Sequence, residues 1–289
     1  MTAERILILV LGILLATALV STSLTNNPSS TPAISTPVQQ PTSFFYTFNT
    51  PGTLQEAGSM DDSTSPYFWL NSGGELIITD SVGETMTNAA PLNNVWRILY
   101  GGSNPVDTDG GYYPQDLFRL VTKSQWDNVE EEARFFIQHD HFSSSFNRNT
   151  SNGLLLMSRY AMDGQTLYYA GVRVDGTAVI KKKIDGIYYT MAQEKVFPGT
   201  YNGWQDNVNL IPHWQWLTLR SDTTTNSDGS VTVALYMQLP SGQGTWTKLL
   251  EATDSGQYGG TAPIVGPGYA GIRTDFMDVH FDNYRISAL

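Results

Sequence analysis

Tyr169, Lys182 and Tyr189 are the side chains from which chemistry reads most directly. They lie in the segment Tyr168–Met191, which holds two Asp-Gly dipeptides, Asp175-Gly176 and Asp185-Gly186, each between β-rich runs. Asp-Gly in that setting marks a two-residue hairpin loop, because a type I′ turn needs positive φ at both central residues. Three antiparallel strands follow, over 167–174, 177–184 and 187–192. With each dipeptide as the whole loop, Val174 faces Thr177, Val172 faces Val179 and Tyr169 faces Lys182. Lys182 in turn faces Tyr189, and Ile180 faces Met191. Successive residues point to opposite faces. One face then carries Ala170, Val172, Val174 and Val179, which suits a core; the other carries Tyr169, Arg173, Lys182 and Tyr189. A phenol beside Lys182 or Arg173 is a candidate for proton transfer, since a nearby cation favours the phenolate. The same row also suits a solvated face, because surface strands carry Tyr and Lys for propensity and edge protection. A G1 bulge at either turn slips the register by one residue and turns these side chains over.

Other clusters carry their own chemistry. In Gln138-His139-Asp140-His141 the two histidines share a strand face while Asp140 points away. They are good zinc ligands in type, but no third ligand is in view. An ordinary edge strand is the competing reading. Asp275, Asp278 and Asp282 offer hard oxygen ligands for a structural Ca2+; solvated turn residues are the alternative. Glu130 and Glu132 share a face, and two carboxylates ~5–5.5 Å apart suit a retaining glycoside hydrolase. A surface glutamate cluster is the favoured reading of the two. Asn149-Thr150-Ser151 matches the N-glycosylation sequon. Tyr201, Trp204, Trp214 and Trp216 offer rings on which a sugar could stack, with Trp216 the best suited of them to a core.

These residues need a scaffold, and the composition says which kind. The formal net charge of −11 argues against nucleic acid, whose phosphates need clustered Lys and Arg. The chain has no cysteine, so disulfides, thiolate metal sites and a cysteine nucleophile are excluded. Ile6–Val20 is an uninterrupted apolar run behind Arg5 and reads as a secretory signal or an uncleaved signal anchor over residues 1–24. Residues 25–43 are Ser, Thr, Pro, Asn and Gln, a linker that cannot repay its ordering entropy. The expected organisation is therefore an exported chain, secreted or held at a cell surface, with its folded domain over 44–289. Strand candidates follow one another from there: 66–80 as strand, turn, strand; 94–100; 116–122; 129–142 with a bulge; 153–160; 214–220; 230–239; 246–252; 268–273; and 278–286. None shows sustained 3.6-residue periodicity. Short strands between Gly, Asn and Asp turns point to an all-β antiparallel sandwich.

The order of these pieces resembles the concanavalin A-like jelly roll of lectins, laminin-G-type modules, glucanases and several polysaccharide lyases. The resemblance is carried by Trp69-Leu70-Asn71-Ser72-Gly73-Gly74, Trp216-Leu217-Thr218-Leu219-Arg220, Gly268-Tyr269-Ala270-Gly271-Ile272 and Val279-His280-Phe281-Asp282-Asn283-Tyr284. It implies paired first and last strands and a sheet face that forms a carbohydrate groove. Tyr168–Met191 is most similar to secreted uronan lyases of the glucuronan and alginate type, although Gln138-His139-Asp140-His141 departs from their Gln-x-His order. That resemblance implies an acidic polysaccharide as partner and β-elimination as the reaction, with no cofactor required. It puts Tyr169 at proton transfer with Lys182 nearby. Gln138, His139 and Arg134 become candidates for carboxylate recognition, and Arg173, Tyr189, His141 and Trp204 for substrate contact. A non-catalytic carbohydrate-binding module and a hydrolase using Glu130 and Glu132 are the rival expectations. The hydrolase lacks the third carboxylate of the Glu-x-Asp-x-x-Glu row that glucanases of this fold carry.

Overall fold

The structure, a computed structural model, describes residues 42–202, 209–239 and 244–289. The apolar N-terminal run, the linker up to residue 41 and Trp204 lie outside the described residues. Among the described residues, sixteen strands and one helix succeed one another: β1 Ser43–Tyr46, β2 Gly52–Gln55, β3 Phe68–Ser72, β4 Glu75–Thr79, β5 Val82–Thr85, α1 Val95–Ser103, β6 Leu117–Trp126, β7 Val129–Asp140, β8 Gly153–Tyr160, β9 Leu167–Arg173, β10 Thr177–Ile184, β11 Ile187–Lys195, β12 Trp216–Thr225, β13 Val231–Gln238, β14 Thr247–Asp254, β15 Gly268–Asp275 and β16 Met277–Ala288. They form two antiparallel sheets. A nine-stranded sheet runs β14-β13-β12-β7-β16-β5-β4-β2, with β1 also on β16, and a seven-stranded sheet runs β11-β10-β9-β8-β15-β6-β3. The pairing of β1 with β16, Ser43 opposite Ser287, joins the two ends of the domain. This is the all-β antiparallel sandwich that the strand pattern leads one to expect, with first and last strands paired as the jelly-roll resemblance implies.

Alternation within the strands builds the core. Phe135, Ile137, Leu217, Leu219, Val233 and Phe281 of the larger sheet pack against Leu154, Leu156, Ala170, Val172, Ile180 and Ile272 of the smaller one. Their alternate neighbours face outward on either side. Residues 94–100, expected as a strand, are instead largely helix α1. Its apolar residues favour a strand by propensity. The Asn94 side chain decides otherwise: it accepts from the backbone N–H groups of Trp96 and Arg97, satisfying donors that a helix start leaves open. Among the described residues, no helix is long and apolar enough to cross a membrane.

The three-stranded segment forms as expected, but its first turn differs. Gly176 (φ +77°) donates its N–H to Arg173 O at 2.8 Å, and Asp175 keeps a negative φ. The loop is therefore a three-residue turn ending in a G1 bulge. Tyr169 consequently faces Lys181, and Lys182 faces Tyr168. The second turn is of the two-residue kind, with Asp185 at φ 47° and Gly186 at φ 81°, and Lys182 does sit opposite Tyr189. A bulge at Ile180/Lys181 then places Ile180 opposite Ala192 rather than Met191.

One residue of slip reverses the role of Lys182. It is fully buried between the sheets, where its ammonium meets Asp254 Oδ2 at 2.8 Å and the carbonyls of Thr261 and Ala262 at 2.9 and 2.8 Å. Tyr168 OH donates to the same carboxylate at 2.6 Å and accepts from the N–H of Ile264. Every polar group there is partnered, which is the condition for a buried ion pair to be tolerated. A second interior pair joins Tyr284 OH to Glu131 Oε1 at 2.6 Å. Burial holds the Glu131 carboxyl well above the usual glutamate range.

Candidate functional site

The outer face of the seven-stranded sheet collects phenols and cations. Tyr169 projects from β9, Tyr188 from β11 and Arg273 from β15, while Lys181 and Lys183 flank the inward Lys182 on β10. The rings of Tyr169 and Tyr188 meet edge to face, with centroids 5.7 Å apart. Arg273 bridges two partners: its guanidinium pairs with Asp275 Oδ1 at 2.8 Å and donates to Tyr188 OH at 3.2 Å. The Lys183 ammonium lies 5.0 Å from the centre of the Tyr188 ring and donates to Gly164 O. Arg173 is held by Asp175 at 2.9 Å. Among the described residues, Lys181 has no carboxylate within ion-pairing distance. A cavity of about 330 Å3 opens between these groups, lined by Tyr169, Lys181, Tyr188 and Arg273 at one end and by Asn149, Asn152 and Asp116 at the other. An apolar floor of Leu155, Met157, Leu167 and Val179, packed with Met60 and Trp69, supports Tyr169.

The two phenols sit in opposite electrostatic situations. Burial pushes Tyr169 up, and Arg273 and Arg173 offset this only in part. Burial also acts to raise Tyr188, but Arg273 and Lys183 outweigh it through their charge and hydrogen bonds and leave this phenol below its ordinary value. Burial and then Arg173 lower the Lys181 ammonium. At the far end of the cavity, burial and the neighbouring Asp107 push Asp116 up to about 6. Paired groups whose environments drive their pKa values apart are how a site obtains an acid and a base of the same chemical type.

The expected constellation is only partly brought together. Tyr169 and Arg173 share this face. Lys182 is interior, as described; Tyr189, opposite it on β11, is half-buried and packs so closely on Gly259 that a Cβ there would lie 2.7 Å from its ring. Arg134, Gln138 and His139 belong to β7, in the other sheet, and share no face with Tyr169. Arg134 pairs with Asp282 at 3.1 Å over the Trp216 ring. His139 is exposed and its ring stands edge-on to Trp214, 5.0 Å away. His141 is fully buried, bonded to Asp278 at 2.8 Å and stacked on Tyr113; it is a packing residue, out of reach of a substrate. Trp204 lies outside the described residues. Asp275, Asp278 and Asp282 each hold a different base, namely Arg273, His141 and Arg134. Among the described residues, no group of three His, Asp or Glu is arranged to hold a metal ion.

Sequence reasoning missed Tyr188, Lys181, Lys183 and Arg273. The run Lys181-Lys182-Lys183 contained the signal. In a strand buried on one face, one or two of three successive lysines must face outward, and the G1 bulge decides which.

Glu130 and Glu132 do project together from the outer face of the nine-stranded sheet. Glu130 pairs with Arg220 at 3.2 Å. Burial raises Glu132, the nearby Glu130 adds to this, and Arg285 counteracts it. The same face carries a groove of about 760 Å3 that includes Phe136, Trp214 and Trp216.

No protein-family model matches the chain, and no curated protein matches it. Solved structures of similar fold do. A β-glucanase of Bacillus licheniformis aligns at 12% identity over 87% of this chain and 100% of its own, with a TM-score of 0.44. A carbohydrate-binding module from Bacillus subtilis aligns at 12% identity over 60% and 83%, with a TM-score of 0.42. The exoplasmic/lumenal domain of VIP36, in its Ca2+/Man-bound form, aligns at 9% identity over 82% and 89%, with a TM-score of 0.44. At these values the likeness is one of general architecture and does not reach the side chains of either face.

Proposed function

We propose that the chain is an exported carbohydrate-active protein that takes an acidic, uronate-containing glycan on the outer face of the seven-stranded sheet and cleaves it by β-elimination. One observation carries this reading: two phenols with centroids 5.7 Å apart, one raised and one lowered, stand beside Arg273 and Lys181, which among the described residues has no carboxylate partner. Elimination next to a uronate carboxylate needs that carboxylate neutralised, a base for the C5 proton and an acid for the leaving oxygen. Arg273 and Lys181 suit the first task. Tyr188, held toward its phenolate, suits the second, and Tyr169, held protonated, the third. The C5–H bond breaks toward the Tyr188 oxygen, its electron pair forms the C4–C5 double bond, and the C4–O bond breaks. The departing oxygen takes the Tyr169 proton; Tyr188 then releases the C5 proton to solvent and Tyr169 takes one back, which returns the pair to its starting state. No metal or organic cofactor enters this sequence. In the same proposal, the apolar run at residues 6–20 exports the domain or tethers it at a cell surface.

The test is absorbance. Polyglucuronate, polymannuronate, polyguluronate and polygalacturonate are each incubated with the protein, and the unsaturated uronide is read in the near ultraviolet. The expected result is a rising signal on one of them that Tyr188→Phe removes. A second reading, glycan binding without turnover at the same face, draws support from the burial of Tyr169, which is only 6% exposed. It predicts retention on a polyuronate with no absorbance and no new chain ends.

A further inference from the structure

The opposite face holds a differently built surface. Trp214, 60% exposed, precedes β12 and adopts a positive φ of 59°, fixed by its N–H on Ile137 O at 3.1 Å. Its ring makes T-shaped contacts with Phe136 (84°) and with His139 (78°), so neither ring lies parallel against it. Phe136 in turn packs on Trp216 with centroids 5.5 Å apart. A large aromatic ring pinned in place yet left in solvent gives up burial that a folded chain would otherwise gain. Beside it, the groove of about 760 Å3 is bordered by Gln215, Gln238 and Asn283, whose amides donate to and accept from neighbouring hydroxyls, and by Glu132, whose carboxylate accepts. Its charges cancel. Arg134 is paired with Asp282 at 3.1 Å, and Glu132 has Arg285 as its leading cationic neighbour.

We infer that this groove is a second glycan-binding site, specific for an uncharged sugar chain, with a pyranose ring stacked on Trp214. The charge pattern selects the ligand class. Glu132, Arg134 and Arg285 all line the groove, and Asp282 pairs with Arg134, so the charges balance and give an acidic chain no net attraction; an uncharged chain offers the C–H faces and hydroxyls that an indole and paired amides recognise. This site is independent of the cationic face, which lies on the other side of the sandwich. A protein carrying both would hold to a neutral matrix while acting on an acidic polymer.

The experiment is an array of neutral glucans, mannans, xylans and galactans probed with the intact chain, followed by titration of the best ligand with intrinsic fluorescence as readout. Wild type is expected to bind at least one neutral glycan, with quenching of tryptophan emission. Trp214→Ala should weaken that binding by about tenfold or more with an unchanged melting temperature, since the ring is mostly exposed. Tyr188→Phe should leave it unchanged, so loss of the acidic-glycan reading and loss of this one are told apart. Asn283→Ala and Gln238→Ala, at the rim, serve as a second route and should each weaken binding. Absence of binding to every neutral glycan on the array, or equal affinity of Trp214→Ala and wild type, overturns the inference.

Discussion

The two outer faces of this sandwich are built from the same alternation and end up with different chemistry. On the nine-stranded sheet, acids and bases neutralise one another: Arg220 with Glu130, and Arg134 with Asp282. Aromatic rings stand between them. On the seven-stranded sheet, Arg273 is shared between Asp275 and a phenol, Lys183 ends on a carbonyl, and Lys181, 5.9 Å from the centre of the Tyr188 ring, has no carboxylate partner among the described residues. The lesson concerns where function is to be sought on a two-sided fold. Paired acids and bases leave rings and amides as the groups a face can offer, whereas cations without a carboxylate of their own leave charge to offer as well.

The largest expected effect would break the comparison at its active end. Tyr188→Phe should lower elimination by about 10²–10⁴-fold, the usual contribution of a general base, while a polyuronate still binds. A wild-type pH profile rising through the lowered Tyr188 titration and absent in the variant separates proton transfer from mere positioning.

Lys182 and its neighbour sharpen the contrast between interior and surface. Lys182→Ala leaves the Asp254 carboxylate buried without its ion pair, and urea denaturation should show a loss of about 3–5 kcal/mol. Lys181→Ala, one residue away, should change stability by no more than about 0.5 kcal/mol yet weaken polyuronate binding. Equal effects on stability would mean that the strand register is not the one described.

Salt should divide the faces as well. Polyuronate binding should weaken markedly between low and physiological ionic strength, since exposed charges are screened beyond about 8–10 Å. Neutral-glycan binding should barely respond.

The smallest effect lies between the faces. The Glu131 carboxyl is raised in the folded state by burial, so the unfolded chain releases this proton first as pH rises. Its contribution to stability is present in full below the ordinary glutamate value of 4.5 and is lost as pH rises toward the folded value. Glu131→Gln should therefore melt higher than wild type at neutral pH, and the difference should vanish in acid. A gain that persists at low pH would place the effect in packing rather than in ionisation.

Much of this architecture is readable from the chain. Gly153–Tyr160 is a strand with the expected bounds, and β1 meets β16. The outward pair Glu130 and Glu132 follows from period two alone. What was not readable depended on single local events. Asp175-Gly176 and Asp185-Gly186 are the same dipeptide, yet one ends a three-residue loop and the other forms a two-residue loop. Nothing within either dipeptide tells them apart, and the choice determines which of three lysines is buried. The Asn94 cap turned β-favouring residues into helix α1. Arg273 was missed because its importance depends on β11 delivering Tyr188 to it across the sheet, a contact 85 residues apart in sequence.

The account rests on the tyrosine pair at the cationic face, and one measurement bears on it most directly. Wild type, Tyr188→Phe and Glu132→Gln are compared for near-ultraviolet absorbance and for new reducing ends on the best polyuronate. The account predicts that absorbance and ends rise together in wild type and in Glu132→Gln, and that both vanish in Tyr188→Phe. New ends without absorbance, abolished by Glu132→Gln and untouched by Tyr188→Phe, would contradict it and move the chemistry to the other side of the molecule.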